Sequence, residues 1–236
     1  MPPHSRPARH WIVGDVHGCA ESLEQLLRLL PADDRLVLCG DVINRGPQIQ
    51  RAMELAWALV RSGRAVWLQG NHEADLAADL AAEAGQEQGA GTRRLAGSDT
   101  VRQLGSRVCR LWQRRLETLP SVYPGRGWVA THAGFDPHSW QPDLRVRRPF
   151  WQAYDGRYGQ VVVGHTPGRG VRRKGAIVMV DTGACYGGEL SAYCPETAAV
   201  VQVRGQSPLL PPALPRGMRE QLAALQAGRR LQRCRD

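Results

Sequence analysis

IVGDVHG (12–18), LVLCGDVINRG (36–46) and VWLQGNHE (66–73) share one pattern: a short apolar run that stops in a knot of Asp, Asn, His and Gly. Runs this short and this rich in Val, Ile and Leu read as strands buried on both faces. Between them lie AESLEQLLRLL (20–30) and QIQRAMELAWALVRS (48–62), with apolar residues at helical spacing. The chain therefore opens β-α-β-α-β, a parallel arrangement joined by crossover helices. Parallel strands finish at the same edge of a sheet, so their polar knots converge. WVATHAG (128–134), VVVGHT (161–166) and IVMVDTG (177–183) repeat the pattern further on. Six such endings point to one site at a sheet edge.

A third helix is expected from His72 through HEADLAADLAAEA, and an amphipathic helix over 100–118, closed by Pro120. Between them GQEQGAGTRRLAGSD (85–99) reads as a surface loop or cap near the site. Strands are expected near 127–131, 160–164 and 176–180, with 135–159 irregular. Strands near 190–194 and 198–204 form an antiparallel ending. Residues 10–204 read as one catalytic domain. Residues 205–236 begin with a Pro-rich linker, GQSPLLPPALP, and end in a basic tail.

The 236 residues are 42% hydrophobic, enough for a full core. The first ten residues carry no apolar leader, and no run approaches the roughly 20 residues that span a bilayer. A cytoplasmic protein with no membrane partner is expected. The six cysteines are scattered with no Cys-x-x-Cys pair, which argues against a zinc knuckle and for reduced thiols. Net charge is +9, almost all from arginine, since Lys174 is the only lysine. Coding bias accounts for part of this, and a field that draws anionic substrates is the functional reading. No aromatic-interleaved basic stripe supports a nucleic-acid partner.

The knots supply ligands for two divalent metal ions. Asp15 and His17 are two residues apart, so in an extended segment both face one side. Asp41 follows LVLCG, Asn71 offers an amide oxygen, and His132 and His165 offer imidazoles. Oxygen donors with imidazoles suit manganese first, with iron or zinc as alternatives. Two such ions would lower the pKa of a shared water and neutralise charge in phosphoryl transfer. Arg45 can clamp a phosphate with its fork, and His72, beside Asn71, is placed to protonate a leaving oxygen.

GDVHG, GDVINRG, GNHE, HAG and GHT, in this order over 12–183, resemble the signature of the phosphoprotein phosphatase branch of the calcineurin-like metallophosphoesterases. The resemblance implies a mixed α/β fold, α+β in class: a two-sheet β-sandwich flanked by helices in four αββα layers. It implies Asp15, His17 and Asp41 on one metal, and Asp41, Asn71, His132 and His165 on the other, bridged by Asp41. It implies His72 as acid, Arg45 as phosphate clamp and a second clamp in DLRVRRPFW, where Arg147 is the best match and Arg148 and Arg145 are rivals. The expected activity is hydrolysis of phosphomonoesters, phosphoserine or phosphothreonine proteins included, by a metal-activated water.

Several places depart from the protein-phosphatase pattern or qualify it. Asn44 replaces an Asp that in the family orients His72, so an amide that accepts a hydrogen bond and adds no charge should leave His72 a weaker base. That neutral residue followed by RGP, and DTGACYGGELS (181–191), are similar to bacterial symmetrical dinucleoside tetraphosphatases, the alternative reading. Against it stand Glu73, where those enzymes usually have Asp, and the short 29-residue stretch from 135 to 163. Asp181 reads as a carboxylate orienting a ligand His or as a turn former. Tyr186 could stack on a nucleobase, with packing the expectation. Trp140, Trp151 and Tyr154 could line a substrate surface or pack.

Overall fold

The computed structural model describes residues 8–84, 95 and 97–207. Most of the 85–99 loop and all of the tail from 208 on lie outside these residues. The opening is β1 (His10–Val13), α1 (Ala20–Leu29), β2 (Arg35–Leu38), α2 (Ile49–Arg61), β3 (Ala65–Trp67) and α3 (Asn71–Ala84). The three strands pair in parallel, Ile12 opposite Val37 and Val37 opposite Val66. The expected 100–118 helix is two: α4 (Asp99–Leu104) and α5 (Ser106–Glu117). Gly105 sits between them at φ +78°, a left-handed turn that no helix interior adopts.

The second half gives β4 (Val122–Pro124), β5 (Trp128–Thr131), α6 (Arg148–Ala153), β6 (Gln160–Val163), β7 (Arg172–Lys174), β8 (Ile177–Met179), β9 (Glu189–Cys194) and β10 (Ala199–Arg204). Among the described residues these build two five-stranded sheets, ordered β10-β9-β1-β2-β3 and β4-β5-β6-β8-β7. The 135–159 stretch is less irregular than its composition suggests, since it contains α6, started by Pro149 in the first turn.

Strand periodicity divides the side chains into three cores. Ile12, Val37, Trp128, Ala130, Val162 and Val178 fill the space between the sheets. Their neighbours Val13, Leu36 and Leu38 face α1, α2, α3 and α5, packing on Leu23, Leu26, Met53 and Leu80. Val129, Val161 and Ile177 face the other way, against Phe150 of α6. The result is the four-layer mixed α/β sandwich. Trp140, Trp151 and Tyr154 are partly buried and pack against this third core. Among the described residues no helix is long and apolar enough to cross a membrane. The cysteines at 19, 39, 109, 185 and 194 are all free and buried.

Candidate metal centre

The loops leaving β1, β2, β3, β5 and β6 meet at one edge of the sandwich. Five non-glycine residues there hold positive φ: His17, Asp41, Asn44, Arg45 and His165. Left-handed backbone is costly for such residues, and its concentration here marks a functional edge. Glycine makes the crowding possible. A Cβ on Gly164 would stand 2.2 Å from Asp15 Oδ1, and one on Gly70 2.2 Å from Asp41 Oδ1.

Asp41 is the hub. Its Oδ2 lies 3.6 Å from His17 Nε2 and 3.5 Å from His132 Nε2, and His17 Nε2 is 3.8 Å from Asp15 Oδ2. His132 Nε2 is 3.1 Å from Asn71 Oδ1 and 3.2 Å from His165 Nδ1. Two ligand atoms on one cation, each about 2.1 Å away, stand roughly 3.0–3.4 Å apart. These spacings are therefore near the edges of two coordination polyhedra that share Asp41. The outer ring nitrogens are fixed: His17 Nδ1 donates to Ile43 O (2.8 Å) and His132 Nδ1 to Cys39 O (2.7 Å). That leaves both Nε2 lone pairs aimed at Asp41, the usual device for presenting imidazole to a metal.

Burial sets the charge state. Desolvation, with Asp181 and Asp41 nearby, pushes Asp15 well above the usual carboxylate range, and desolvation lifts Asp41 to about 7. Burial likewise lowers His132 and His165 to about 4 and His17 well below its ordinary value. A cation would ionise those carboxylates, and it needs the imidazoles neutral, as burial already makes them. The residues present therefore fit two divalent ions.

His72 is different. Asn44 Oδ1 accepts from Thr100 N (3.0 Å), Thr100 Oγ1 (2.7 Å) and Ser98 Oγ (3.0 Å). The backbone donor fixes which way the amide points, so Asn44 Nδ2 donates to His72 Nδ1 at 2.8 Å. The expectation of an accepting amide is corrected: its oxygen is already saturated. The ring must carry its proton on Nε2, 3.8 Å from Asp41 Oδ2. Burial and the Arg45 charge lower His72 to about 4, keeping it neutral. A protonated Nε2 offers no lone pair, so His72 is a hydrogen-bond donor beside the centre.

Arg45 Nη1 donates to His17 Nε2 at 2.7 Å. A cation on that lone pair and this hydrogen bond exclude each other. Arg147 Nε lies 3.3 Å from His165 Nε2. Arg145 is instead paired with Asp75, and Arg148 opens α6, so of the three Arg147 is the one brought to the site. Asp181 Oδ1 accepts from Gly183 N (3.0 Å), a turn-forming bond.

Glu73 has a role that its sequence neighbourhood does not reveal. Fully buried, it accepts from Asp41 N (2.8 Å) and Gly70 N (2.9 Å) on Oε2 and from Val42 N (2.8 Å) on Oε1. It ties the β2 loop to the start of α3. Burial and the Asp41 carboxylate push it up to about 8, yet every hydrogen aimed at it comes from a donor, so the geometry fits the ionised form. Glu73→Gln turns an NH2 toward those donors. The expected cost is about 2–4 kcal/mol, a fall of roughly 5–10 °C in Tm, with about 10–100-fold weaker metal binding. Calorimetric melting with and without metal checks both.

The family model for calcineurin-like phosphoesterases matches residues 8–176. The chain belongs to this family. It is 30% identical over 164 residues to the symmetrical bis(5'-nucleosyl)-tetraphosphatase of Ralstonia nicotianae, covering 65% of this chain and 52% of that protein. The Xylella fastidiosa protein of the same name is 35% identical over 132 residues, 54% of this chain and 42% of its own length. The chain thus spans about half the length of the curated relatives it matches. Among solved structures, a candidate diadenosine tetraphosphatase superposes with TM-score 0.62 at 24% identity over 85% of this chain and 95% of its own. A serine/threonine phosphatase of Saccharomyces cerevisiae superposes at 0.59 with 13% identity, over 88% and 82%. At these identities the two structures speak for the fold.

Proposed function

We propose that this phosphoesterase cuts dinucleoside polyphosphates, splitting diadenosine tetraphosphate symmetrically into two ADP. The catalytic unit is residues 10–204. Asp15, His17 and Asp41 hold one ion and Asp41, Asn71, His132 and His165 the other, with manganese the favoured metal. When bound, the ions supply an activated water and charge neutralisation at phosphorus. Five buried free thiols fit a reducing cytoplasm.

The observation that carries the reading is the Asn44–His72 hydrogen bond. A neutral imidazole with its proton on Nε2 can donate a hydrogen bond to a leaving oxygen but is a poor source of a whole proton. A departing serine or threonine alkoxide needs that proton. A departing ADP does not, because its terminal phosphate has a second pKa of about 6 and holds the electron pair unaided. Water adds to phosphorus, the bridging P–O bond breaks, and ADP leaves as an anion. Arg45 and Arg147 offer guanidinium forks to the flanking phosphates.

The sequence favoured a protein phosphatase and kept the dinucleotide reading second; the named relatives and the Asn44 geometry support the reverse order. Glu73 no longer counts for the protein phosphatase, since its carboxylate is taken up by backbone donors that brace the site. Chromatography of the products from diadenosine tetraphosphate tests the proposal. Two ADP is the expected outcome; AMP with ATP, or intact substrate, overturns it.

A further inference from the structure

Tyr186 was expected to pack. It is instead 60% exposed, whereas its neighbours Ala184 and Cys185 are 2% and 3% exposed. The turn that displays it is closed by hydrogen bonds. Tyr186 N donates to Gly183 O (2.9 Å), Gly188 N donates to the same carbonyl (3.0 Å), and Thr182 Oγ1 meets Ser191 Oγ at 2.6 Å. With left-handed glycines at 183 and 187, the chain turns so that two side chains point in and one points out.

Beside the ring lies a hollow of about 430 Å³, within the usual range of small-ligand sites. Pro167, Gly168 and Gly183 line it, with Arg169 and Glu189 among its polar residues. A Cβ on Gly183 would stand 3.7 Å from Tyr186 Cδ2 and 3.9 Å from Pro167 Cβ, so the missing side chain helps keep the space between them open. The hollow also adjoins the metal centre: the Arg45 guanidinium lies 5.5 Å from the Tyr186 ring centroid and reaches His17 Nε2 with its Nη1. Outward from Asp41 there thus follow the Arg45 guanidinium, the Tyr186 ring and the glycine-lined hollow.

We infer that Tyr186 and the hollow floored by Gly183 form a nucleobase subsite, in which a purine stacks on the tyrosine while its phosphates run past Arg45 to the metals. The inference rests on the dinucleotide reading above for its substrate class. A purine is favoured over a pyrimidine because it offers the larger stacking face. Glu189 can accept from an exocyclic amine of the base.

The test is calorimetric titration of manganese-loaded protein with AMP, UMP and ribose 5-phosphate. The ratio of AMP to ribose 5-phosphate affinity isolates the base from the phosphate. We expect about a tenfold ratio in the native chain, a smaller one for UMP, a ratio near one in Tyr186→Ala and Tyr186→Leu, and a retained ratio in Tyr186→Phe. A ratio near one in the native chain, or an equal ratio in native and Ala forms, overturns the subsite. Symmetrical cleavage with a ratio blind to Tyr186 leaves the function standing and removes the subsite. A Tyr186-dependent ratio without cleavage does the opposite.

Discussion

Asp41→Asn is expected to lower turnover on the order of 10³-fold and to abolish the rise in Tm that metal gives the native chain. Asp41 Oδ2 is the atom both histidine clusters share, and an amide there keeps the shape while removing the charge that balances two cations. The same change should make the metal-free protein more stable. The folded pKa of Asp41, about 7, lies above its ordinary 3.8. A group raised in this way costs nothing below pH 3.8 and progressively destabilises the fold as pH rises toward and past 7. At pH 8 the metal-free variant should therefore melt several degrees above the native chain. Metal binding to native protein should also release protons near neutral pH, read as a dependence of binding heat on buffer ionisation enthalpy. A metal-free Tm that falls in Asp41→Asn would contradict this account of the hub.

Asn44→Asp should change which leaving groups the enzyme tolerates. One carboxylate oxygen would keep the bonds from Thr100 and Ser98, and the other would face His72 Nδ1. The ring would then take a proton there and become an imidazolium able to donate from Nε2. Phenyl phosphate, whose leaving group needs a proton, should gain about 10–100-fold, while nitrophenyl phosphate should gain less than about threefold. The sign of the pH dependence follows. His72 pKa rises from about 4, so the new activity is present below the raised value and lost as pH climbs through it. Equal gains on both esters, with no new basic limb, would remove His72 from the leaving-group role.

How much of this could be read from the chain depends on the range of each interaction. A buried strand that ends in a polar knot is a local signal, so the parallel opening and the convergence of Asp15, Asp41, Asn71, His132 and His165 were visible in the pattern. The edge strand β7 was not, because Arg172, Arg173 and Lys174 have no apolar alternation. Charged residues on an edge serve to block further pairing. The polarity of the Asn44–His72 bond was hidden because Thr100, which fixes it, lies 56 residues away. Glu73 was legible as a motif letter alone, since two of its three closest donors come from the β2 loop, 31 and 32 residues earlier. Tyr186 was misjudged because an aromatic in an apolar stretch usually packs, and only the turn geometry shows which of three consecutive side chains faces out.

The most direct measurement gives the manganese-loaded chain diadenosine tetraphosphate and a phosphothreonine peptide together at equal concentration and follows both products. Rapid formation of ADP while the peptide keeps its phosphate is the expected result. Free phosphate from the peptide with the dinucleotide intact would mean that His72 delivers a proton after all, and would contradict the reading built on Asn44.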